Sequence, residues 1–470
     1  LKTDLLKIKR ILREAAFEEI EVPEEASAEA GEITEELGKK IDGLEEQITA
    51  VDEEMKRVRE KNSSAITEYH RSLQVAGLLL KVKDYLKKTQ KTYIFSGWVP
   101  SGEKRKVESE IMRAARGRAI VEIVPPEEIA GVKTGKVKVP VMLKHPGFFS
   151  PFEMLVSSYG LPEYKFLDPT VFVAISFLAM FGMMFGDIGH GAVLMCLGWL
   201  LGWRKGGIKG AGKQIGRLAF YCGISSVIFG FLFGSIFGLE ELIPHIWMKP
   251  MHDVLYFFKV AVYFGIVMIS VGFIFNIINA VRINDIKSGL FDQAGLISAI
   301  IYWGGIGSVS IFLSNKPIPL KLLIYAIGVP ILLLFLKEPI MALIQHRRVV
   351  FEKGFFSYIM ETVIEVIEIV TGYLANTVSF IRVAAFSLAH VGLFIAVFSL
   401  VETVKDKSAG VVYSALILLI GNAVIIALEG LVVTIQAIRL EYYEFFGKFF
   451  LGGGQAYRPI GLGEKSEPQD

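Results

Sequence analysis

The chain has 470 residues, enough for two or three domains, and 52% of them are hydrophobic, a share too high for an ordinary soluble protein. The formal net charge is only +2, and no basic patch interleaved with aromatic residues occurs, so we expect no binding to nucleic acid. The long apolar runs lie within residues 166–450, whereas residues 1–140 are rich in Glu and Lys. This composition predicts a soluble head attached to a membrane-embedded body.

Several classes of chemistry find no support in the sequence. The two cysteines, Cys196 and Cys222, both lie in apolar runs, which favours packing over a disulfide or a metal pair. No phosphate-binding loop of the GxxxxGK[ST] kind occurs, so the sequence gives no support for nucleotide chemistry in this chain. We expect neither a cofactor nor a metal site. The first residues carry too many charges for a signal peptide, and we therefore expect the head to stay in the cytoplasm.

An antiparallel coiled-coil hairpin is predicted within residues 32–90. From Ile33 to Val58, apolar residues recur at spacings of four and three, which is typical of a coiled-coil seam. The polar stretch KNSS at 61–64 predicts the tip of the hairpin, after which a second helix returns. An amphipathic helix followed by a short strand is predicted within residues 4–22.

Short elements complete the head. We predict a strand at 92–100, a helix at 102–116 and a second strand at 119–126. Together they predict a cytoplasmic α+β lobe within residues 1–140 that flanks the coiled coil. It contains no catalytic constellation, so we interpret it as a docking domain. A linker with several prolines follows at 141–168.

Residues 169–450 are predicted to form a transmembrane domain of eight helices, which makes the fold class mostly α. Each apolar segment is near the length of about 20 residues that crosses roughly 30 Å of hydrocarbon. The segments lie at 169–187, 188–203, 216–238, 254–281, 289–313, 319–336, 356–400 and 409–446. The last two are about twice the required length, which predicts long, tilted helices.

Loop charges predict the orientation in the membrane. If the head is cytoplasmic, so are the loops 204–217, 282–287 and 337–353, and they hold most of the loop lysines and arginines. The positive-inside rule therefore agrees with both chain ends, including the tail 451–470, on the cytoplasmic side. We predict an integral, multi-pass membrane protein, in the plasma membrane if its source is a prokaryote.

The seventh segment places Arg382 at the centre of a long apolar run, with Glu368 before it and His390 after it. A charge at bilayer depth costs at least about 2.5–3.5 kcal/mol, so an arginine there predicts a function. Glu368 and Arg382 share a helical face but lie about 21 Å apart, too far for an ion pair. A guanidinium stays protonated, which suits a permanent charge. For His390, a packed imidazole and a proton carrier are both open interpretations.

The eighth segment returns through the membrane with Glu429, Gln436 and Arg439. We expect Glu429 to lie toward the outside, as His390 does, and Arg439 to lie nearer the cytoplasm. Acidic groups at different depths, separated by arginines, suggest two offset aqueous paths with an electrostatic barrier between them.

Two polar residues lie in earlier apolar segments. Asp187 belongs to the glycine-rich stretch FGMMFGDIGHGAVL, where a simple packing turn is the alternative to a functional role. Lys259 lies in the first turns of the fourth segment, where snorkelling to the interface is the alternative.

Three separated motifs, FGMMFGDIGHG, SFIRVAAFSLAH and LEGLVVTIQAIRLEYYEFFGKFF, resemble the membrane-embedded stator subunit, called subunit a or subunit I, of archaeal and vacuolar-type rotary ATPases. The resemblance spans residues 140–450. It implies contact with a rotating proteolipid ring whose subunits each carry an ion-binding carboxylate, and two half-channels that admit the ion from either side. It also implies contacts with peripheral stalks and with the central-stalk socket.

The resemblance assigns roles to the two C-terminal segments. Arg382 matches the essential arginine that keeps a ring carboxylate from carrying its ion straight across, and Arg439 matches the supporting arginine of the last helix. Glu368 falls on the half-channel glutamate of the family. His390 falls on its seventh-helix histidine and Glu429 on its last-helix glutamate.

The remaining matches include departures from the family pattern. Asp187 and Lys259 fall on polar positions implied to line the path. Gln436 stands where vacuolar relatives have a histidine, and Gly372 replaces a polar half-channel side chain. The head also departs, because the stretch at 61–64 leaves no room for a distal lobe, so either the form is short or an internal segment is missing.

The leading hypothesis is therefore an ion-translocating stator subunit that is not an enzyme on its own. A stand-alone secondary transporter or channel with a regulatory cytoplasmic head is the alternative, although no duplication among the eight segments suggests an inverted repeat. The coupling ion, H⁺ or Na⁺, and the direction, synthesis or pumping, are left open by the sequence.

Overall fold

A computed structural model describes residues 30–203, 210–239, 242–344, 355–406 and 410–459. The elements predicted within residues 4–22 lie outside the described residues, as do most of the tail and several loop cations. The chain divides into two compact units, Leu1–Gly97 with Arg458–Asp470, and Trp98–Tyr457.

In the first unit, one helix, α1 (Ala30–Tyr85), runs without a break through the predicted hairpin tip. The prediction of a hairpin at 61–64 is therefore wrong. This stretch contains neither Gly nor Pro, and its side chains stay within the helix: Asn62 Nδ2 donates to the Val58 carbonyl at 3.0 Å, and Thr67 Oγ1 to the Ser63 carbonyl at 2.6 Å.

The predicted coiled-coil seam lies on one exposed stripe of α1. Its apolar side chains between Leu37 and Val58 are each more than half exposed. After α1, two-residue strands β1 (Lys87–Lys88) and β2 (Tyr93–Ile94) pair antiparallel. Of the strand predicted at 92–100, only the two residues of β2 are in a strand.

The second unit begins with short elements that confirm the predicted helix at 102–116 but not the following strand. A 3₁₀ turn, Ser101–Glu103, leads into α2 (Lys104–Ala114). Residues 119–125 form no strand: Ile120 is fully exposed, and no described segment pairs with it. The strand predicted at 119–126 is therefore wrong.

A few short elements lie just before and within the linker, and this region pairs with the segment that follows the last helix. They are a 3₁₀ turn (Pro126–Glu128), α3 (Ala130–Lys133), β3 (Pro140–Val141) and α4 (Ser150–Tyr159). The strand β3 pairs in parallel with β4 (Gln455–Ala456), which follows the last helix. Nearby, the Gly453 and Gly454 amides donate to the Leu161 carbonyl at 3.3 and 3.0 Å. The linker and the C-terminal strand are thus joined through the backbone.

Every apolar segment predicted to cross the membrane is mainly helical in its described residues. The helices are α5 (Thr170–Met184), α6 (Ile188–Trp203), α7 (Ala211–Phe233), α8 (Val254–Ile283), α9 (Ile286–Phe291), α10 (Leu296–Leu313), α11 (Leu320–Phe335), α12 (Lys337–Ile344), α13 (Phe355–Ser379), α14 (Ile381–Val404) and α15 (Gly410–Phe449). The body is therefore mostly α, as predicted.

Fewer than eight of the described helices are long and apolar enough to cross a membrane. Five helices within the described ranges are long and apolar enough to cross a membrane, the last two being Phe356–Val404 and Gly410–Phe449. The three shorter apolar helices are α5, α6 and α11. At 1.5 Å per residue, a helix of 15 residues reaches only about 22 Å, short of a roughly 30 Å hydrocarbon core.

The long seventh segment is interrupted one residue before Ile381. Phe380 separates α13 from α14, and its side chain is fully buried. Its ring lies against Gly265 of α8, where an added Cβ would come within 2.5 Å of Phe380 Cδ2. The break places Arg382 in the first turn of α14.

The last helix contains two π-helical stretches, Ile425–Glu429 and Leu440–Phe446. Such stretches are rare and frequently lie at functional sites. The first contains Glu429, and the second contains Glu441 and Glu444.

Candidate functional site

Arg382 is paired with a carboxylate that sequence reasoning did not select. Its Nη2 lies 3.9 Å from Oε1 of Glu444, on α15. The Arg382 side chain is 21% exposed and that of Glu444 is 6% exposed. This distance exceeds that of a hydrogen bond, so the two charges attract without sharing a proton. Arg382 Nη1 is buried and has no hydrogen-bond partner among the described residues. Because the side chain is 21% exposed, another part of it stays accessible to other molecules.

Two further cations act on this pair. Arg439, which is exposed, interacts electrostatically with both Arg382 and Glu444. Lys448 interacts with Glu444, and its Nζ lies 4.9 Å from the centre of the Tyr373 ring, a cation–π contact. The structure thus brings the two predicted arginines into one charged cluster. Its other members are Glu444 and Lys448.

A signal for Glu444 was present in the sequence. The motif LEYYEFFGKFF places two acidic residues, Glu441 and Glu444, inside an apolar helix, and Glu444, one turn and a half beyond Arg439, is the one that faces the arginines. Glu441 is almost fully buried and accepts a hydrogen bond from Ser176 Oγ at 2.5 Å. Its Oε2 is buried without a partner in the described part of the chain.

His390 and Glu429 form a second acid–base pair. His390 Nδ1 lies 2.5 Å from Glu429 Oε2, and both side chains are buried. The pair lies between α14 and the first π stretch of α15. The rings of Phe185 and Phe394 approach the His390 ring to centroid distances of 5.3 and 5.0 Å. The two residues that sequence reasoning placed at one depth are therefore in direct contact.

Asp187 acts as a structural anchor in this fold. Its carboxylate is fully buried and accepts four hydrogen bonds. The donors are the amides of His190 (2.9 Å), Phe237 (3.0 Å) and Gly238 (2.9 Å) and the hydroxyl of Ser235 (2.7 Å). A carboxylate with this many donors is stabilised as an anion at the start of α6. It joins the α5–α6 turn to the loop after α7.

The turn held by Asp187 brings a second histidine to the buried pair. His190 Nε2 lies 2.8 Å from Asn422 Oδ1 on α15. The His190 and His390 rings lie 5.6 Å apart, nearly perpendicular. Asp187 therefore does not contact His390 itself. It fixes the turn that carries His190, whose ring lies beside that of His390.

Within the described ranges, the side chains of the other predicted residues form no hydrogen bond with the Arg382 cluster or with the His390–Glu429 pair. Glu368 on α13 and Lys259 on α8 are exposed. Gln436 is half-buried, and its Oε1 has no partner there. Gly372, one turn after Glu368, has open space where a side chain would stand. Glu368 thus lies on a surface that other molecules can reach.

The described residues contain no group of three or more His, Cys, Asp or Glu side chains that could hold a metal ion. The chemistry available at the site is therefore that of fixed positive charge, carboxylates and imidazoles. Such groups can attract, repel and exchange protons with a mobile carboxylate.

The chain matches the V-type ATPase 116kDa subunit family over residues 2–242 and 341–462. It is 27% identical to the A-type ATP synthase subunit I of Pyrococcus horikoshii, over 98% of this chain and 67% of that protein. It is 28% identical to the A-type ATP synthase subunit I of Methanocaldococcus jannaschii, over 98% and 68%. The V-type ATP synthase subunit I 2 of Treponema pallidum is 33% identical over 43% of this chain and 49% of that protein.

The two archaeal relatives match almost the whole chain, and the chain spans about two thirds of their length. The family match covers both the glycine-rich turn with Asp187 and the two helices that carry Arg382 and Arg439. The motifs that first suggested this kinship thus lie inside the matched regions. The chain belongs to the V-type ATPase 116kDa subunit family.

Proposed function

We propose that this chain is the ion-translocating stator subunit of an A/V-type rotary ATPase or ATP synthase. The observation that carries the proposal is Arg382, a permanent cation inside an apolar helix that lies 3.9 Å from the carboxylate of Glu444. A partly exposed guanidinium can attract a carboxylate from a neighbouring proteolipid ring and favour its ionised form. The ring carboxylate then gives up its ion instead of carrying it across.

Two half-channels on either side of Arg382 complete the proposed path. Glu368, exposed on α13, offers a carboxylate on the side that we assign to the cytoplasm. The buried pair of His390 and Glu429 offers a site that can accept and release a proton on the other side. Because Arg382 lies between them along the chain, an ion must ride on the ring to pass from one to the other.

The proposal assigns partners and placement. Nucleotide chemistry belongs to other subunits, and this chain works within the lipid bilayer with both ends in the cytoplasm. The head would contact peripheral stalks and the central-stalk socket. The relatives are named as subunits of ATP synthases, which does not favour a stand-alone transporter or channel. The coupling ion is H⁺ or Na⁺.

The test is Arg382→Ala in the assembled complex, reconstituted in vesicles. We expect ATP-driven ion transport to be lost while nucleotide still binds to the complex. Arg282→Ala, at the exposed end of α8, is the matched control and should transport normally. Coupled transport by the Arg382→Ala complex would contradict the proposed function.

A further inference from the structure

We propose that Glu444 is the internal counter-ion of Arg382, and that it limits how tightly the arginine holds an arriving carboxylate. This inference rests on the proposed function, because it concerns the same meeting of Arg382 with a carboxylate from another protein. Within the described residues, Glu444 is the carboxylate that forms an ion pair with Arg382.

The geometry of the pair suits a counter-ion that can be displaced. A buried arginine without any counter-charge would be strongly destabilised, and Glu444 supplies that charge from a nearly inaccessible position. At 3.9 Å, however, the carboxylate does not occupy the guanidinium as a bidentate partner would. The Arg382 side chain is 21% exposed, so a second carboxylate can approach its exposed part while Glu444 stays in place.

The charges of the cluster determine how strongly that second carboxylate is held. Glu444 interacts electrostatically with three cations, Arg382, Arg439 and Lys448. Three cations and one carboxylate leave an excess of two positive charges. Without Glu444 the excess would be three, and in an apolar environment each charge acts strongly on an approaching carboxylate. The ring carboxylate would then stay ionised longer and reload its ion more slowly.

The first variant to make is Glu444→Gln, which keeps the shape and removes the charge. We expect ATP-driven ion transport in reconstituted vesicles to slow roughly tenfold, with the KM for ATP unchanged. Glu441→Gln is the matched control, since Glu441 is an equally buried acid of the same π stretch whose contact is Ser176 rather than a cation. We expect it to transport at close to the normal rate.

Restoring the charge balance distinguishes a counter-ion from a residue that only supports packing. Lys448→Met removes one positive charge and keeps a long apolar side chain against Tyr373. In the Glu444→Gln background this change returns the excess to two, so we expect the transport rate to recover most of the loss. A residue needed only for packing would not be rescued by a second substitution at a neighbouring cation.

The outcomes separate this inference from the proposed function. A normal rate in Glu444→Gln, or a slow rate that Lys448→Met fails to rescue, overturns the inference, whereas coupled transport in Arg382→Ala overturns the proposed function as well. If Glu444→Gln does not assemble, Lys448→Met alone provides the test. It lowers the excess to one, and passive ion leak through the complex should rise severalfold, while an unchanged leak overturns the inference.

Discussion

Replacing Asp187 by Asn tests whether this residue anchors the fold or lines the path. In the structure Oδ1 accepts the amides of His190 and Phe237, and Oδ2 accepts the Gly238 amide and the Ser235 hydroxyl. An asparagine keeps one oxygen, so its amide nitrogen must face two of these donors. The less costly orientation places this nitrogen at the position of Oδ2. There it faces the Ser235 hydroxyl, which can rotate to donate elsewhere, and the Gly238 amide, which cannot.

The cost of Asp187→Asn follows from that geometry. One hydrogen bond to a charged acceptor is lost, worth about 1.5–3 kcal/mol, and a buried amide is left without a partner, at about 1–3 kcal/mol. We expect a total destabilisation of about 3–5 kcal/mol, large for a single substitution. The measurement is the temperature at which the subunit is lost from the purified complex during a series of heat steps.

Asp285→Asn is the matched control for Asp187→Asn. Asp285 is exposed and caps α9 by accepting from the Lys287 and Ser288 amides, and Asn caps a helix about as well as Asp. The control should therefore leave the heat resistance unchanged. If Asp187→Asn were as heat-resistant as the unaltered complex but failed to transport ions, the anchoring role would be refuted and a path-lining role supported.

Three further substitutions, the first with a control, test packing and the buried acids. Gly223→Ala should destabilise by about 1–3 kcal/mol, because the added Cβ would lie 2.5 Å from the Met195 amide nitrogen, whereas Gly305→Ala meets open space and should not; heat steps measure both. Ser176→Ala removes the described hydrogen-bond partner of Glu441 and should cost about 1–3 kcal/mol, measured in the same way. Glu429→Gln removes the charge beside His390, and we expect at least tenfold slower ion transport by the intact complex; a normal rate would exclude Glu429 from the path.

The helical body could be predicted because its signal is local. A run of about 20 apolar residues must hydrogen-bond its own backbone in lipid, so it becomes helical whatever it packs against. All eight runs are mainly helical, but the Asp187 turn sets where α5 ends and α6 begins, and this turn depends on donors from the loop after α7. No local pattern contains those contacts.

The failures in the head have the opposite cause. A polar stretch such as KNSS at 61–64 is compatible with a turn, yet without Gly or Pro nothing in it prevents a helix, and the long-range contacts of a hairpin are not encoded in one seam. The apolar stretch at 119–126 has strand-like residues, but a strand requires a partner. In the described residues none lies beside it.

The site was only partly predicted from the sequence, because Arg382, His390 and Glu429 were selected whereas Glu444, the partner of Arg382, was not. The contacts Arg382 with Glu444 and His390 with Glu429 run in opposite order along α14 and α15, as expected for antiparallel helices. Each basic group of α14 thus faces an acid held in a π stretch of α15. His390 Nδ1 is within hydrogen-bond distance of Glu429 Oε2, at 2.5 Å, whereas Arg382 Nη2 lies 3.9 Å from Glu444 Oε1, beyond that distance. Of the two basic side chains, Arg382 is 21% exposed and His390 only 3%, so the arginine is the one that a carboxylate from another protein can reach, and the proposed meeting with the ring falls at Arg382.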